Sequence, residues 1–143
     1  MPMYDESMIK PLRDELTRHG VKELRTAADV DAAMKLAGTT LLVVNSVCGC
    51  AGGAARPGIA LALKHATRPT QLTTVFAGQD GEATAKAREY LKPYPPSSPA
   101  IALLSGGKVV AMLERRDIEG RGPQDVATKL AAMFDQHCAK QPA

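Results

Sequence analysis

The stretch TTLLVVNSVCGCAGGAARPGIALALKHA, residues 39–66, decides the fold class of this 143-residue chain. Its first six residues are apolar or β-branched at every position and Asn45 follows, which is typical of a strand buried on both faces of a parallel sheet. Two cysteines, Cys48 and Cys50, follow directly. A helix over 51–65 is predicted next, with Pro57 causing a kink or a late start. A strand followed by a helix indicates an α/β protein.

The segments before this stretch predict two helices. Apolar residues recur at helical spacing over 7–19, with Gly20 just past the end, and Pro11 suggests that the regular helix begins around that residue. A second helix is predicted from Thr26, which resembles the first residue of a capping box, to residue 37. The segment 21–26 between them is a candidate short edge strand.

The segments after it predict a strand over 71–78, a helix over 81–91 capped by Asp80, a proline-rich loop, strands over 100–104 and 108–113, and a helix over 123–138. Gly106 and Gly107 fit a tight hairpin between the last two strands. The order predicts a single α/β domain, residues 1–143, with a mixed central sheet flanked by helices on both faces. Functional groups in such sheets lie at the carboxyl ends of strands, where Cys48 is expected.

Composition excludes several function classes. Apolar residues make up 45% and charged residues 23% of the chain, as in ordinary globular proteins. A net charge of +3 without a basic block, and five aromatic residues, argue against a nucleic-acid partner. No signal peptide and no apolar run of about 20 residues is found, so we expect a cytoplasmic protein without a membrane partner. Cytoplasmic thiols are kept reduced, which makes a close cysteine pair catalytic or metal-binding rather than structural.

The cysteine pair is well placed for thiol-disulfide exchange. A helix start stabilises a thiolate, and the thiolate is the reacting form. Cys48, just before the helix, is therefore the predicted nucleophile, and the more shielded Cys50 the predicted resolving thiol. Gly49 gives the backbone freedom to close a bridge between them, which we expect to be strained and relatively oxidising.

Other interpretations of the cysteines remain open. Both could be small core residues. A zinc site could recruit Cys48, Cys50, Cys138 and a histidine, and a copper-transfer site could use the pair, although Cys-x-Cys matches the usual zinc spacing poorly. Cys138 is expected to have no role, with an extra resolving or dimer-linking thiol as the alternative. The three histidines lie at predicted helix ends, where a cation is favourable, and are not expected to be ligands.

Two further features are candidates for substrate contact. Several arginines and lysines, Arg56 and Arg115 among them, are expected to be surface charges, of which one or two could meet an anionic thiol; Arg56 follows the pair by less than two helical turns. The bond between Ser98 and Pro99 can be cis, and a cis proline entering the sheet would leave the preceding backbone free to pair with an extended substrate.

Three blocks of the sequence resemble the bacilliredoxins, which have a thioredoxin-like fold and a Cys-Gly-Cys motif. They are VVNSVCGCAGGAARP (43–57), TVFAGQDGEATAKAREY (74–90) and SSPAIALLSGGKVV (97–110). The resemblance implies removal of bacillithiol from proteins that carry it as a mixed disulfide. It implies that Cys48 attacks and accepts the bacillithiol, that Cys50 resolves it, and that the Ser98–Pro99 bond is the cis bond of the fold.

The resemblance also implies partners. They are bacillithiolated client proteins and a low-molecular-weight thiol, with bacillithiol as co-substrate and no metal or other cofactor. Two alternatives remain. One is a general protein disulfide isomerase or reductase, and the other is a metal-binding or redox-sensing module without turnover.

Overall fold

A computed structural model describes residues 3–138 of the chain. Its helices and strands follow the predicted order, with a π-helical stretch directly after the cysteines. They are α1 (Glu6–Thr17), β1 (Lys22–Glu23), α2 (Ala27–Met34), β2 (Thr39–Asn45), the π-helical stretch (Ala51–Ala55), α3 (Arg56–Ala62), β3 (Gln71–Phe76), α4 (Gly81–Tyr90), β4 (Ala100–Ser105), β5 (Lys108–Leu113), α5 (Arg115–Ile118) and α6 (Pro123–His137).

The five strands form one mixed sheet in the order β1-β3-β2-β4-β5. β1 and β2 both run parallel to β3, whereas β4 runs antiparallel to β2 and to β5. β2 lies in the centre, and all seven of its residues are buried, as its continuous apolar pattern predicts. The candidate edge strand exists, but only two of its residues pair, Lys22 with Thr73 and Glu23 with Thr74.

Each face of the sheet packs against its own set of helices. Leu41, Val43, Ile101 and Leu103 point to one face, where they pack with residues of α1, α3 and α6. Alternate residues of the same strands point to the other face and pack with α2 and α4. The predicted mixed sheet with helices on both faces is confirmed.

Several local features differ from the predictions. α1 begins at Glu6, five residues before Pro11, because the Asp5 carboxylate accepts a hydrogen bond from the Ser7 amide and caps the helix. Pro11 is tolerated inside α1 on its exposed side, where the carbonyl that it leaves unpaired is open to water. The third helix ends at Ala62, three residues early, and the four-residue α5 was not predicted.

Asp80 lies at the predicted capping position of α4 but makes no side-chain capping bond. Its carboxylate instead accepts hydrogen bonds from buried Arg13, at 2.6 and 3.1 Å. Arg13 also donates to Glu6 and Glu23, so one guanidinium joins α1, β1 and the start of α4. A long-range ion pair of this kind has no local sequence signal.

Within residues 3–138, no helix is both long enough and apolar enough to cross a membrane.

Candidate functional site

The cysteine pair lies beyond the carboxyl end of the central strand β2. The chain leaves β2 at Asn45, and the Ser46 hydroxyl accepts a hydrogen bond of 3.1 Å from the Cys48 amide. The Cys48 carbonyl then accepts from the amides of Ala51 and Gly52, at 3.0 and 3.4 Å. These bonds start the helix at the pair itself, so the predicted position of Cys48 just before a helix start is confirmed.

The geometry around Cys48 favours its thiolate. The backbone N–H of Cys50 is the main group that lowers the pKa of Cys48, and the Cys50 thiol, the Arg115 guanidinium and the backbone N–H of Ala51 add to it. Partial burial opposes them but does not reverse the direction. Cys48 is half-buried, so its sulfur combines an anion-stabilising surrounding with access to a substrate.

The pKa of Cys50 is shifted in the opposite direction, upward. Its thiol donates a hydrogen bond to the Cys48 sulfur, which raises the pKa of Cys50, and burial and the charge of Cys48 raise it further. The negative charge of Glu119 acts in the same direction. Cys48 is therefore the thiol that loses its proton first. Cys50 keeps its proton, which lies in the hydrogen bond to the Cys48 sulfur.

Arg115 is a positively charged residue whose charge lowers the pKa of Cys48. It is the first residue of α5, and its Nε lies 3.2 Å from Glu119 Oε2. Its Nη1 donates a long hydrogen bond, 3.4 Å, to the Ser98 carbonyl. Sequence reasoning placed Arg115 among several interchangeable surface charges, because neither the turn after β5 nor the short α5 was predicted.

Arg56 does not lie on the surface as predicted. It is 4% exposed, and its Nη1 donates to Asn45 Oδ1 at 3.0 Å and to the Ser46 carbonyl at 2.8 Å. Its Nε lies 3.0 Å from Glu15 Oε1. The expectation that Arg56 meets a substrate anion is not supported, because its guanidinium is taken up by protein groups. It instead fixes the segment between β2 and Cys48.

Gly52 makes room for that arrangement. A Cβ built at Gly52 would lie 3.0 Å from the Nη2 atom of Arg56. A side chain at this position would press on the buried guanidinium, so the glycine in the π-helical stretch supports the placement of Arg56.

A cleft of about 460 Å³ opens beside Cys48. Its lining brings together the N-terminal segment, the end of β2, the turn after β3, α4 and α5, through residues that include Tyr4, Val47, Cys48, Arg88, Ser98 and Arg115. The Ser98–Pro99 bond is cis, as predicted. Ser98 reaches the cleft, whereas Pro99 is buried beneath it.

Cys138 lies apart from the pair. Its thiol contacts Thr39, at the start of β2, and burial raises its pKa. The seven-residue β2 separates it from Cys48 by about 20 Å, given about 3.3 Å per strand residue. A resolving role for Cys138 within one chain is therefore excluded by distance.

The zinc ligand set considered from the sequence is not assembled either. Within residues 3–138, no three His, Cys, Asp or Glu side chains form a group that could hold a metal ion. His65 contacts Asp135 at 2.8 Å instead.

Comparison with known proteins agrees with the geometry. The family model described as disulphide isomerase matches residues 4–138. A bacilliredoxin of Geobacillus kaustophilus is 56% identical over 137 residues, which cover 96% of this chain and 94% of that protein. A bacilliredoxin of Koribacter versatilis is 54% identical, with 95% and 94% covered.

Solved structures support the fold. The thioredoxin of Fasciola hepatica matches with a TM-score of 0.58 and 22% identity, covering 82% of this chain and 99% of that one. The oxidised thioredoxin of Plasmodium falciparum matches with a TM-score of 0.57 and 18% identity, covering 83% and 99%. The predicted thioredoxin-like fold is confirmed. By its match to the family model and to these relatives, the chain belongs to the disulphide isomerase family that the bacilliredoxins represent, and it is a thiol-disulfide oxidoreductase.

Proposed function

We propose that this oxidoreductase removes bacillithiol from client proteins that carry it as a mixed disulfide, with Cys48 as the attacking thiol. The observation that carries the proposal is the position of half-buried Cys48 in the lining of a cleft, where backbone N–H groups, the Cys50 thiol and Arg115 lower its pKa. The size of that cleft, about 460 Å³, suits a small thiol. The bacilliredoxin relatives support the same substrate class.

In the first step the Cys48 thiolate attacks the bacillithiol sulfur of the mixed disulfide. A bond forms between Cys48 and bacillithiol, the bond to the client cysteine breaks, and the client thiolate leaves and takes a proton from water. One disulfide replaces another, so there is no net oxidation. The sulfur atoms carry all of the chemistry, and the proposal therefore requires no metal or organic cofactor.

In the second step Cys50 attacks Cys48 and releases bacillithiol. The main cause of the raised pKa of Cys50 is its hydrogen bond to the Cys48 sulfur, with the charge of Cys48 a further cause. Both weaken once Cys48 carries bacillithiol, because the sulfur is then neutral. The resolving thiol thus becomes easier to ionise only after the first step. The resulting Cys48–Cys50 disulfide is reduced by an external thiol in the reducing cytoplasm, where we expect the protein to act.

A second candidate is general disulfide isomerase or reductase activity on protein dithiols. The hydrogen bond between the two thiols favours it, because this contact places Cys50 within reach of a mixed disulfide on Cys48. The two candidates differ in their need for Cys50. Removal of one small thiol from a client requires Cys48 alone, whereas reduction of a client dithiol requires both cysteines.

The test is intact-protein mass spectrometry on the reduced Cys50→Ser variant mixed with a peptide whose single cysteine carries bacillithiol. We expect the variant to gain the mass of one bacillithiol and the peptide to be released as a free thiol. Peptide mapping should place the added mass on Cys48.

Two matched variants complete the experiment. Cys138→Ser in the same background should transfer bacillithiol at an unchanged rate, and Cys48→Ser should not transfer it. If the peptide rather than bacillithiol stays on Cys48, or if only an intramolecular disulfide substrate reacts and only when Cys50 is present, the isomerase or reductase reading replaces the proposal.

A further inference from the structure

The cleft beside Cys48 is lined by positively charged side chains. Two cationic side chains line it, Arg88 from α4 and Arg115 from α5. Among residues 3–138, no Asp or Glu contributes to the lining. Cys48 lies in the same lining, so a molecule joined to the Cys48 sulfur would share this cleft with both guanidinium groups.

Arg88 is the less expected of the two cations. Its Nε is buried and has no hydrogen-bond partner, and no ion pair of this side chain is found among residues 3–138. A buried donor without a partner is costly, because burial removes its bonds to water and returns none. Arg88 also lines the cleft, and among residues 3–138 its guanidinium has no protein anion to compete with an anion bound there.

Arg115 is only partly satisfied. Its Nε pairs with Glu119 at 3.2 Å, and its Nη1 reaches the Ser98 carbonyl at 3.4 Å, a distance typical of a weak bond. Its side chain is 45% exposed, so it can turn toward a ligand. It lines the same cleft as Cys48, and its positive charge lowers the pKa of that thiol.

The N-terminal segment also lines the cleft, through Met3 and Tyr4. The Met3 amide donates to the Gly78 carbonyl at 2.9 Å, and the Tyr4 amide donates to Gln79 Oε1 at 3.2 Å. These two bonds hold the segment against the turn after β3. The N-terminal segment is therefore a fixed part of the cleft lining, and a concave site of this kind suits a small molecule.

We propose that Arg88 and Arg115 bind the carboxylates of the small thiol that is transferred to Cys48, and so make the enzyme selective for anionic low-molecular-weight thiols. The inference rests on the proposed function, since it names the part of that substrate which the cleft holds. Guanidinium groups bind carboxylates in planar, charge-assisted pairs. The client protein then lies outside the cleft.

The test compares mixed disulfides on one neutral client peptide. The small thiol is bacillithiol or glutathione, which both carry carboxylates, or 2-mercaptoethanol, which is uncharged. The measured quantity is the ratio of the transfer rate of each anionic adduct to that of the neutral adduct. We expect the wild type to favour the anionic adducts, and we expect Arg88→Gln and Arg115→Gln each to lower the ratio about tenfold, as for loss of one charge-assisted hydrogen bond.

Two controls separate recognition from other effects. Arg116→Gln changes the neighbouring arginine, which is 81% exposed on its side chain, pairs with Glu114 and does not line this cleft. Its ratio should stay at the wild-type value. Arg88→Lys keeps the charge and should recover part of the ratio that Arg88→Gln loses. If the glutamine variants lower the ratio for both anionic adducts, the arginines recognise a carboxylate in general. If they lower it for bacillithiol alone, the arginines also recognise the position of the carboxylates in that molecule.

Three results would overturn the inference. One is an unchanged ratio in both glutamine variants. Another is an equal loss on the neutral adduct, which would mean that the arginines act only on the Cys48 sulfur. The third is a loss that follows an acidic client peptide whatever small thiol it carries, which would assign the arginines to the client. Failure of the proposed function itself is distinct, because wild-type protein would then transfer none of the three thiols to Cys48.

Discussion

Replacing Arg56 with Met tests whether this arginine holds the site or binds the substrate. Met has a similar length and no charge, so it fills the space of the aliphatic stem while deleting the guanidinium. The variant removes the two Nη1 hydrogen bonds to Asn45 and to the Ser46 carbonyl, and the contact of Nε with Glu15.

The expected loss of stability follows from these contacts. Each hydrogen bond from a charged donor contributes about 1.5–3 kcal/mol, so the two Nη1 bonds contribute about 3–6 kcal/mol together. Relief from burying a charge offsets part of this amount. Glu15 is 31% exposed and can be rehydrated, so its lost contact adds little. We expect a net loss of about 3 kcal/mol and a fall in Tm of about 10 °C.

The assay combines urea unfolding with the adduct-transfer rates. Urea unfolding gives the loss of free energy at 25 °C. Because the Ser46 carbonyl precedes Cys48 by two residues, the lost bonds should also loosen the cysteine segment and slow transfer from anionic and neutral adducts by the same factor. Arg116→Met is the matched control, and its exposed side chain should change stability by less than about 0.5 kcal/mol.

The reasoning would be refuted by a variant with wild-type stability that loses transfer only from carboxylate-bearing thiols. That result would return Arg56 to the substrate-binding role expected from its position in the sequence. A loss of stability with no change in any transfer rate would refute the positional role alone, because the arginine would then stabilise the fold without fixing the site.

Three further predictions address the thiols, the helix packing and the acid response. Alkylation by iodoacetamide should reach half its maximal rate at a lower pH for Cys48 than for Cys50, and Cys50→Ala should raise the pKa of Cys48 by removing a hydrogen-bond donor. Gly58→Ala should lower the free energy of unfolding by about 1–3 kcal/mol, because the new Cβ would lie 2.7 Å from side-chain atoms of α6. Hydrogen bonding to Arg13 lowers the pKa of Glu6 from 4.5 to about 2, so its contribution is complete above pH 4.5 and is lost as the pH falls toward 2; Arg13→Met should flatten this part of the stability profile.

Each of these has a control in the same chain. Cys138, whose thiol has a pKa raised by burial, should be alkylated slowly throughout the range that separates the pair. Gly53→Ala should unfold at or above the wild-type urea concentration, because nothing lies within 4 Å of its added Cβ. An equal loss at Gly53 and Gly58 would attribute the effect to glycine flexibility rather than to packing. An unchanged acid profile in the Arg13 variant would show that Glu6 is stabilised by other groups.

The fold was predictable because its main signals are local. Residues 39–45 show continuous apolar character because β2 has helices on both faces, and the cysteines follow it because a strand and the next helix meet there. Gly106 and Gly107 have positive φ values of 57° and 82°, which is the property that predicted the hairpin. Each of these features depends on neighbours within a few residues.

The surroundings of the cysteines were not predictable, because they depend on residues far apart in the chain. Arg56 and Arg115 look equivalent in the sequence, yet one is buried under β2 and the other faces the cleft. The difference arises from α1, which supplies Glu15 to the first, and from the short α5, which orients the second. Arg88 showed no signal at all, since the burial of its unpaired Nε depends on tertiary packing.

The two cysteines illustrate how such long-range groups divide roles between chemically identical side chains. Both thiols start from the same ordinary pKa and lie two residues apart. The helix start favours the Cys48 anion, through the backbone N–H groups of Cys50 and Ala51, and gives Cys50 no equivalent bond. The choice comes from direction: the N–H of Cys50 and its thiol both point toward the Cys48 sulfur, while Glu119 opposes ionisation of Cys50. Capping Cys48 with a small thiol removes the hydrogen bond that holds the Cys50 proton. The order of attack and resolution therefore follows from which sulfur accepts that bond.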